Sequence, residues 1–127
     1  MAHFKKHFTL DEARAALPTL RHRFGSIHRS RDQLQKLDAV LAKKLKKTGG
    51  DLGGAQVEAM MHALSSIQND MLTITGMGIV VKDIDRGLVD FPHLRKGTEV
   101  FLCWELEEDD IGFWHDLDTG FPGREKL

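Results

Sequence analysis

Val81-Lys82-Asp83-Ile84-Asp85-Arg86-Gly87-Leu88-Val89-Asp90-Phe91-Pro92 is the stretch on which the fold reading turns. Apolar runs at 79–82 and 88–91 flank an Asp-rich turn at 83–87 that closes on a glycine, the pattern of two strands and a tight connection. From about Gly78 onward the apolar period is two; before it the period is helical. Residues 99–106 alternate, with Val100, Leu102, Trp104 and Leu106 on one face and Phe101, Cys103 and Glu105 on the other. An acidic turn at 107–110 leads to a further strand at 111–115. Connections this short favour an antiparallel meander of four strands. The tail, 116–127, reads as irregular chain that packs back across the sheet.

Upstream, Thr9-Leu10-Asp11-Glu12 is a capping box, in which the Thr9 hydroxyl accepts from the Glu12 amide and the Glu12 carboxylate from the Thr9 amide. A long helix follows. Leu10, Leu17, Phe24 and Leu45 share one heptad position and Ala13, Leu20, Ile27, Leu34 and Leu41 another, with Arg31 and Asp38 interrupting the first row. Pro18 removes one backbone bond and crowds the preceding turn, so a kink is expected there. Lys43, Lys44, Lys46 and Lys47 suit the negative end of the helix dipole. A glycine-rich turn at 48–54 precedes a second helix at about 55–75, striped by Val57, Leu64 and Met71 and by Met60, Ile67 and Ile74. Gly76 suits a left-handed stop.

The expected fold is therefore α+β: a long kinked antiparallel helical hairpin (8–75) packed on a four-stranded antiparallel β-meander (78–127), in one domain over 1–127. A first helix of about 36 residues would extend about 54 Å at about 1.5 Å per residue, whereas strands of five or six residues span only about 17–20 Å. Apolar helix positions would be left in water, and a homodimer through the helices is the simplest remedy.

The bulk properties narrow the function classes. A chain of 127 residues and 14.3 kDa can bury a core without staples. A net charge of −1 gives no general pull toward nucleic acid or anionic membrane, although 5–47 is basic and 105–118 acidic. The cations of the first helix interleave with Glu12, Asp32 and Asp38 and have no aromatic stacking platform, which argues against nucleic acid. No apolar run approaches the roughly 20 residues of a membrane span, and residues 1–7 lack the apolar stretch of a secretion signal. Cys103 is the only cysteine, which excludes an intramolecular disulfide; together these suit a cytoplasmic protein.

The run from Val81 to Pro92, with Leu102-Cys103-Trp104, Trp114-His115, Gly120-Phe121 and Arg124, resembles an uncharacterised bacterial family, domain of unknown function 2203. The start, Phe8-Thr9-Leu10-Asp11-Glu12-Ala13 with Leu17-Pro18, is similar to that family's start. The resemblance covers nearly the whole chain and implies no reaction, cofactor or partner.

Two constellations could carry chemistry. Asp83, Asp85, Asp90, His115 and Asp118 are carboxylates with one imidazole, a set suited to a divalent Mn, Fe or Zn ion that could activate water. The competing account has Asp83, Asp85, Asp116 and Asp118 capping turns through side-chain bonds to the backbone. Arg86 and Arg124, with Lys82 nearby and Trp104, Trp114 and Phe121 as walls, could bind a carboxylate or phosphate. Here the competing account is pairing of the arginines with Asp83, Asp90 or Asp118. Cys103 reads as a small apolar residue before it reads as a nucleophile, and His3, His7, His22, His28 and His62 complete no site. Two function classes follow. The first is a non-enzymatic binding or assembly module holding a small anion or a protein partner at the polar strand ends. The second is a small metal-dependent hydrolase built on the Asp/His cluster.

Overall fold

The computed structural model describes residues 2–48 and 54–127; most of the glycine-rich turn expected between the helices lies outside them. Two helices, α1 (Leu10–Thr48) and α2 (Gly54–Gly76), form a helical hairpin. They precede five strands, β1 (Val80–Asp83), β2 (Leu88–Arg95), β3 (Thr98–Trp104), β4 (Phe113–Asp116) and β5 (Glu125–Lys126). All neighbouring strands pair antiparallel in chain order, so the sheet is a meander.

The expectation of four strands is corrected to five. After a short 3₁₀ turn, Phe121–Gly123, the tail returns beside β4 and pairs Lys126 with Phe113 and Glu125 with Trp114. Two exposed residues have no apolar alternation, so this strand leaves no periodic signal. The expected end of β2 at Phe91 is also too early. Lys96 and Gly97 both have positive φ, 52° and 80°, as a two-residue hairpin turn requires, and β2 runs on to meet it. Pro92 can stand inside β2 because its backbone faces the free edge past β1. There its carbonyl accepts the Phe8 N–H at 2.7 Å, and no bond to β3 is lost.

The chain divides into two compact units, residues 1–24 with 73–127, and residues 25–72. In the first, the opening turns of α1 bury Ala13, Ala16, Leu17, Leu20 and Phe24, a single helical stripe. The capping box forms as read: Glu12 N–H donates to Thr9 Oγ1 at 3.1 Å and Thr9 N–H to Glu12 Oε1 at 2.9 Å. Those bonds hold the Glu12 carboxyl below its usual range. The helix continues unbroken through Pro18, which lies on its exposed side.

Register and alternation give the sheet two distinct faces. Val89, Phe91, Leu102 and Trp104 share the buried face that meets α1, where the Arg21 guanidinium lies 5.6 Å from the Trp104 ring. Asp90, Phe101, Cys103 and His115 share the other face. In the second unit α1 buries Ile27 and Leu41 and α2 buries Ala63 and Asp70.

Gly87 closes the β1–β2 turn with φ +62°, and a Cβ there would lie 2.8 Å from the Leu106 Cβ. Gly87→Ala should therefore cost about 1–3 kcal/mol of stability and lower Tm by roughly 4–12 °C in thermal melts. Gly97→Ala, also at positive φ but with nothing within 4 Å, should cost less. Equal losses would refute the steric account.

Candidate functional site

The sheet face turned away from α1 carries a buried polar group. Asp90 on β2 stands directly opposite Cys103 on β3, while His115 on β4 stands opposite Phe101, two positions along β3 on the same face. Strand pairing alone thus delivers a carboxylate, a thiol and an imidazole to one spot. Their ligand atoms lie within 4.8 Å of one another, and Asp90 and His115 are only 2% and 1% exposed.

The protons of this group can be placed. His115 Nδ1 lies 2.7 Å from the Asp116 carbonyl oxygen, which can only accept, so Nδ1 carries hydrogen. Nε2 therefore faces Asp90 Oδ1 at 3.0 Å with one proton between them. Burial raises the Asp90 carboxyl above its usual range, against the pull of His115 and a hydrogen bond from the Cys103 thiol. Burial, with the nearby Asp90 charge, pushes the Cys103 thiol up to about 12. A thiol held that high is protonated at neutral pH and is no nucleophile.

Both ends of the chain cover this face. The N-terminal arm is fastened by Glu99, whose Oε1 accepts the His3 N–H at 2.7 Å and whose Oε2 accepts the Phe4 N–H at 3.1 Å. His7 Nε2 lies 2.7 Å from the same Oε2. Phe4 then packs edge-on to Phe101 at 5.4 Å between centroids, and Phe8 packs on Phe91 on the opposite face. From the other end, Arg124 lies over Phe113 at 3.8 Å and over Phe121 at 4.5 Å.

The two candidate sets of the sequence are distributed as follows. Of Asp83, Asp85, Asp90, His115 and Asp118, the strands bring Asp90 and His115 together; the third member of their group is Cys103. Asp83 accepts the Arg86 N–H at 3.2 Å within the β1–β2 turn, Asp85 lies exposed in that turn, and Asp118 follows β4. Of the anion set, Arg86, Phe121 and Arg124 meet, with both guanidinium groups on the Phe121 ring. The Arg86 Nη2 donates to Glu105 Oε2 and the Arg124 Nη2 to Glu108 Oε2, each at 2.6 Å. Trp104 is buried against α1 and donates its indole N–H to the Glu108 carbonyl at 2.9 Å. Trp114 is stacked by Arg95 at 4.4 Å, and Lys82 stands 5.6 Å from the Phe101 ring.

Sequence reasoning missed three things. Glu105 and Glu108 are the arginine partners, not Asp83, Asp90 or Asp118. Asp109 and Asp110 receive Arg21 and Arg14 from α1: Arg21 donates to the Asp109 carbonyl at 2.7 Å and Arg14 to Asp110 Oδ1 at 3.1 Å. The opposed charge of residues 5–47 and 105–118 was a signal for that match. Glu99, which organises His3 and His7, gave no signal, because its partners are mostly backbone amides.

A cleft of about 300 Å³ opens beside the buried group, lined by His3, Phe4, Lys82, Phe101, Leu117 and Asp118. Its Phe101 wall lies 5.5 Å from the His115 ring.

A small α+β protein with a buried Asp–Cys–His group covered by both terminal segments is the class these features define. The family model of domain of unknown function 2203, described as an uncharacterized conserved protein, matches residues 6–127, and the chain belongs to that family. No curated protein and no solved structure matches the chain. No described helix is long and apolar enough to cross a membrane.

The amide bonds from the arm hold the Glu99 carboxyl at about 2, below its ordinary 4.5. A depressed folded-state value stabilises above the ordinary value and is lost as pH falls through the folded one. The arm should therefore stay docked at pH 4 and detach as pH falls toward 2, followed through the amide resonances of residues 3–7. In Glu99→Gln that acid transition should vanish. A midpoint near 4.5 in the natural chain would contradict the geometry.

Proposed function

We propose that this chain is a non-enzymatic binding and assembly module, with the cleft beside β1 as its ligand site and the helical hairpin as its assembly surface. What supports the reading is Lys82, an exposed ammonium standing over the Phe101 ring in a cleft whose apolar walls are Phe4, Phe101 and Leu117 and whose other polar residues are His3 and Asp118. A cation above an apolar floor suits a small organic anion with a flat or apolar body. Asp118 on the rim disfavours a second negative charge, so a monoanion fits better than a polyanion. The arginines are already engaged by Glu105 and Glu108, so recognition falls to Lys82 and His3. Benzoate tests this directly. It should shift the resonances of Lys82 and Phe101 in a saturable titration, and Lys82→Ala should weaken binding about 10-fold or more, the cost of a charged hydrogen bond. No saturable shift in the natural chain would sink the ligand reading.

The assembly reading rests on α2. Val57, Met61, Leu64 and Leu72 line one helical side and are 38%, 65%, 54% and 61% exposed. The helix has no Lys or Arg, and its acidic residues are Glu58 and the buried Asp70. A stripe with so little charge selects an equally uncharged partner, and a second copy offers the same stripe across a two-fold axis. Light scattering coupled to size exclusion should give twice the 14.3 kDa chain mass at micromolar concentration. Met61→Glu with Leu64→Glu should give the monomer. A monomeric natural chain would overturn the homodimer.

A further inference from the structure

We propose that Asp90, Cys103 and His115 form a binding site for one divalent transition-metal ion, Zn²⁺ in preference to harder cations. The inference is independent of the cleft and of the dimer.

Three ligand types that Zn²⁺ accepts come from three adjacent strands, and their donor atoms lie within 4.8 Å of one another. With Zn–N and Zn–O of about 2.0 Å and Zn–S of about 2.3 Å, tetrahedral donors sit about 3.3–3.5 Å apart. The observed Nε2–Oδ1 separation of 3.0 Å would need to open by only a few tenths of an ångström. The sulfur must approach by a little over 1 Å at most, within reach of a side-chain torsion.

The imidazole is already arranged for the task. Its Nδ1–H is committed to the Asp116 carbonyl, which leaves Nε2 as the atom that faces Asp90. A carbonyl on one ring nitrogen that orients the other toward the ion is the usual outer-shell arrangement of a metal-bound histidine. Thiolate and imidazole together disfavour Mg²⁺ and Ca²⁺, which take oxygen ligands.

Charge balance favours the exchange in a buried site. Without metal the group holds the thiol proton and one proton between Asp90 and His115, for a net charge of zero. A divalent ion that displaces those two protons meets a thiolate, a carboxylate and a neutral imidazole, again for zero. The ion therefore enters without leaving a bare charge under the termini. Three protein ligands are one fewer than a closed structural zinc site has, so water completes the coordination.

Cobalt(II) reads the site without any assay of activity. After dialysis against chelator, the untagged full-length chain should bind Co²⁺ one to one. It should show a near-ultraviolet thiolate-to-cobalt band together with the strong visible bands of a tetrahedral ion. Because Cys103 is the only cysteine, that charge-transfer band identifies the site by itself. Zn²⁺ should bleach the spectrum stoichiometrically. Cys103→Ser should abolish the band and weaken Zn²⁺ by more than about 100-fold, beyond the 10–100-fold typical of losing an outer-shell partner. Cys103→Ala checks that the fold survives by circular dichroism. A natural chain with no thiolate band, or with Zn²⁺ affinity unchanged in Cys103→Ser, would overturn the proposal.

Discussion

The bridge between Asp90 and His115 is the interaction on which the rest of this sheet depends. It spans from β2 to β4 across β3 and is 2% and 1% exposed at its two ends. A buried pair of this kind contributes little net stability, but losing one partner typically costs about 3–5 kcal/mol because the other is stranded. The pair is tolerable only if every polar atom around it is satisfied and water is kept out. The Asp116 carbonyl and the Cys103 thiol meet the first condition. The arm fastened by Glu99 and the tail held by Arg124 meet the second. Each terminal segment is secured by a charge-assisted bond at its edge of the face, the arm by Glu99 and the tail by Arg124 with Glu108.

The acidic turn after β3 ties the two sides of the sheet together. Glu105 and Glu108 take Arg86 and Arg124, while Asp109 and Asp110 take Arg21 and Arg14. One short loop thereby joins the start of α1, the β1–β2 turn and the tail. The exposed members of this network contribute little energy each. Their value is in orientation: α1 is set against Trp104, and Arg124 is held flat on Phe113.

Much of the architecture was legible because it is periodic. The capping box, the stripe from Ala13 to Phe24, and the separation of Leu102 and Trp104 from Phe101 and Cys103 follow from spacing alone. β5 was not legible, since two residues have no period, and neither was the length of β2, since Pro92 reads as a terminator until its free edge is known. The site was only half legible. Asp90 and His115 were two of the five residues in the carboxylate–imidazole set, but which residues join them depends on register, and register put Cys103 there instead of Asp83, Asp85 or Asp118. The arginines were right in kind and wrong in partner, because any carboxylate within reach looks equivalent in a sequence.

Pro92 and the arm have a consequence for solution behaviour. Past the end of β1, the outer edge of β2 is a row of backbone groups that another chain could pair with. At that point the protein presents a proline, which has no hydrogen to give, and its carbonyl is already taken by Phe8. His93 closes the Phe8 carbonyl in turn, at 2.6 Å. The segment that keeps water from the polar patch is thus also the stopper on the sheet's open flank. Releasing it would uncover a template for intermolecular strand pairing as well as a buried charge.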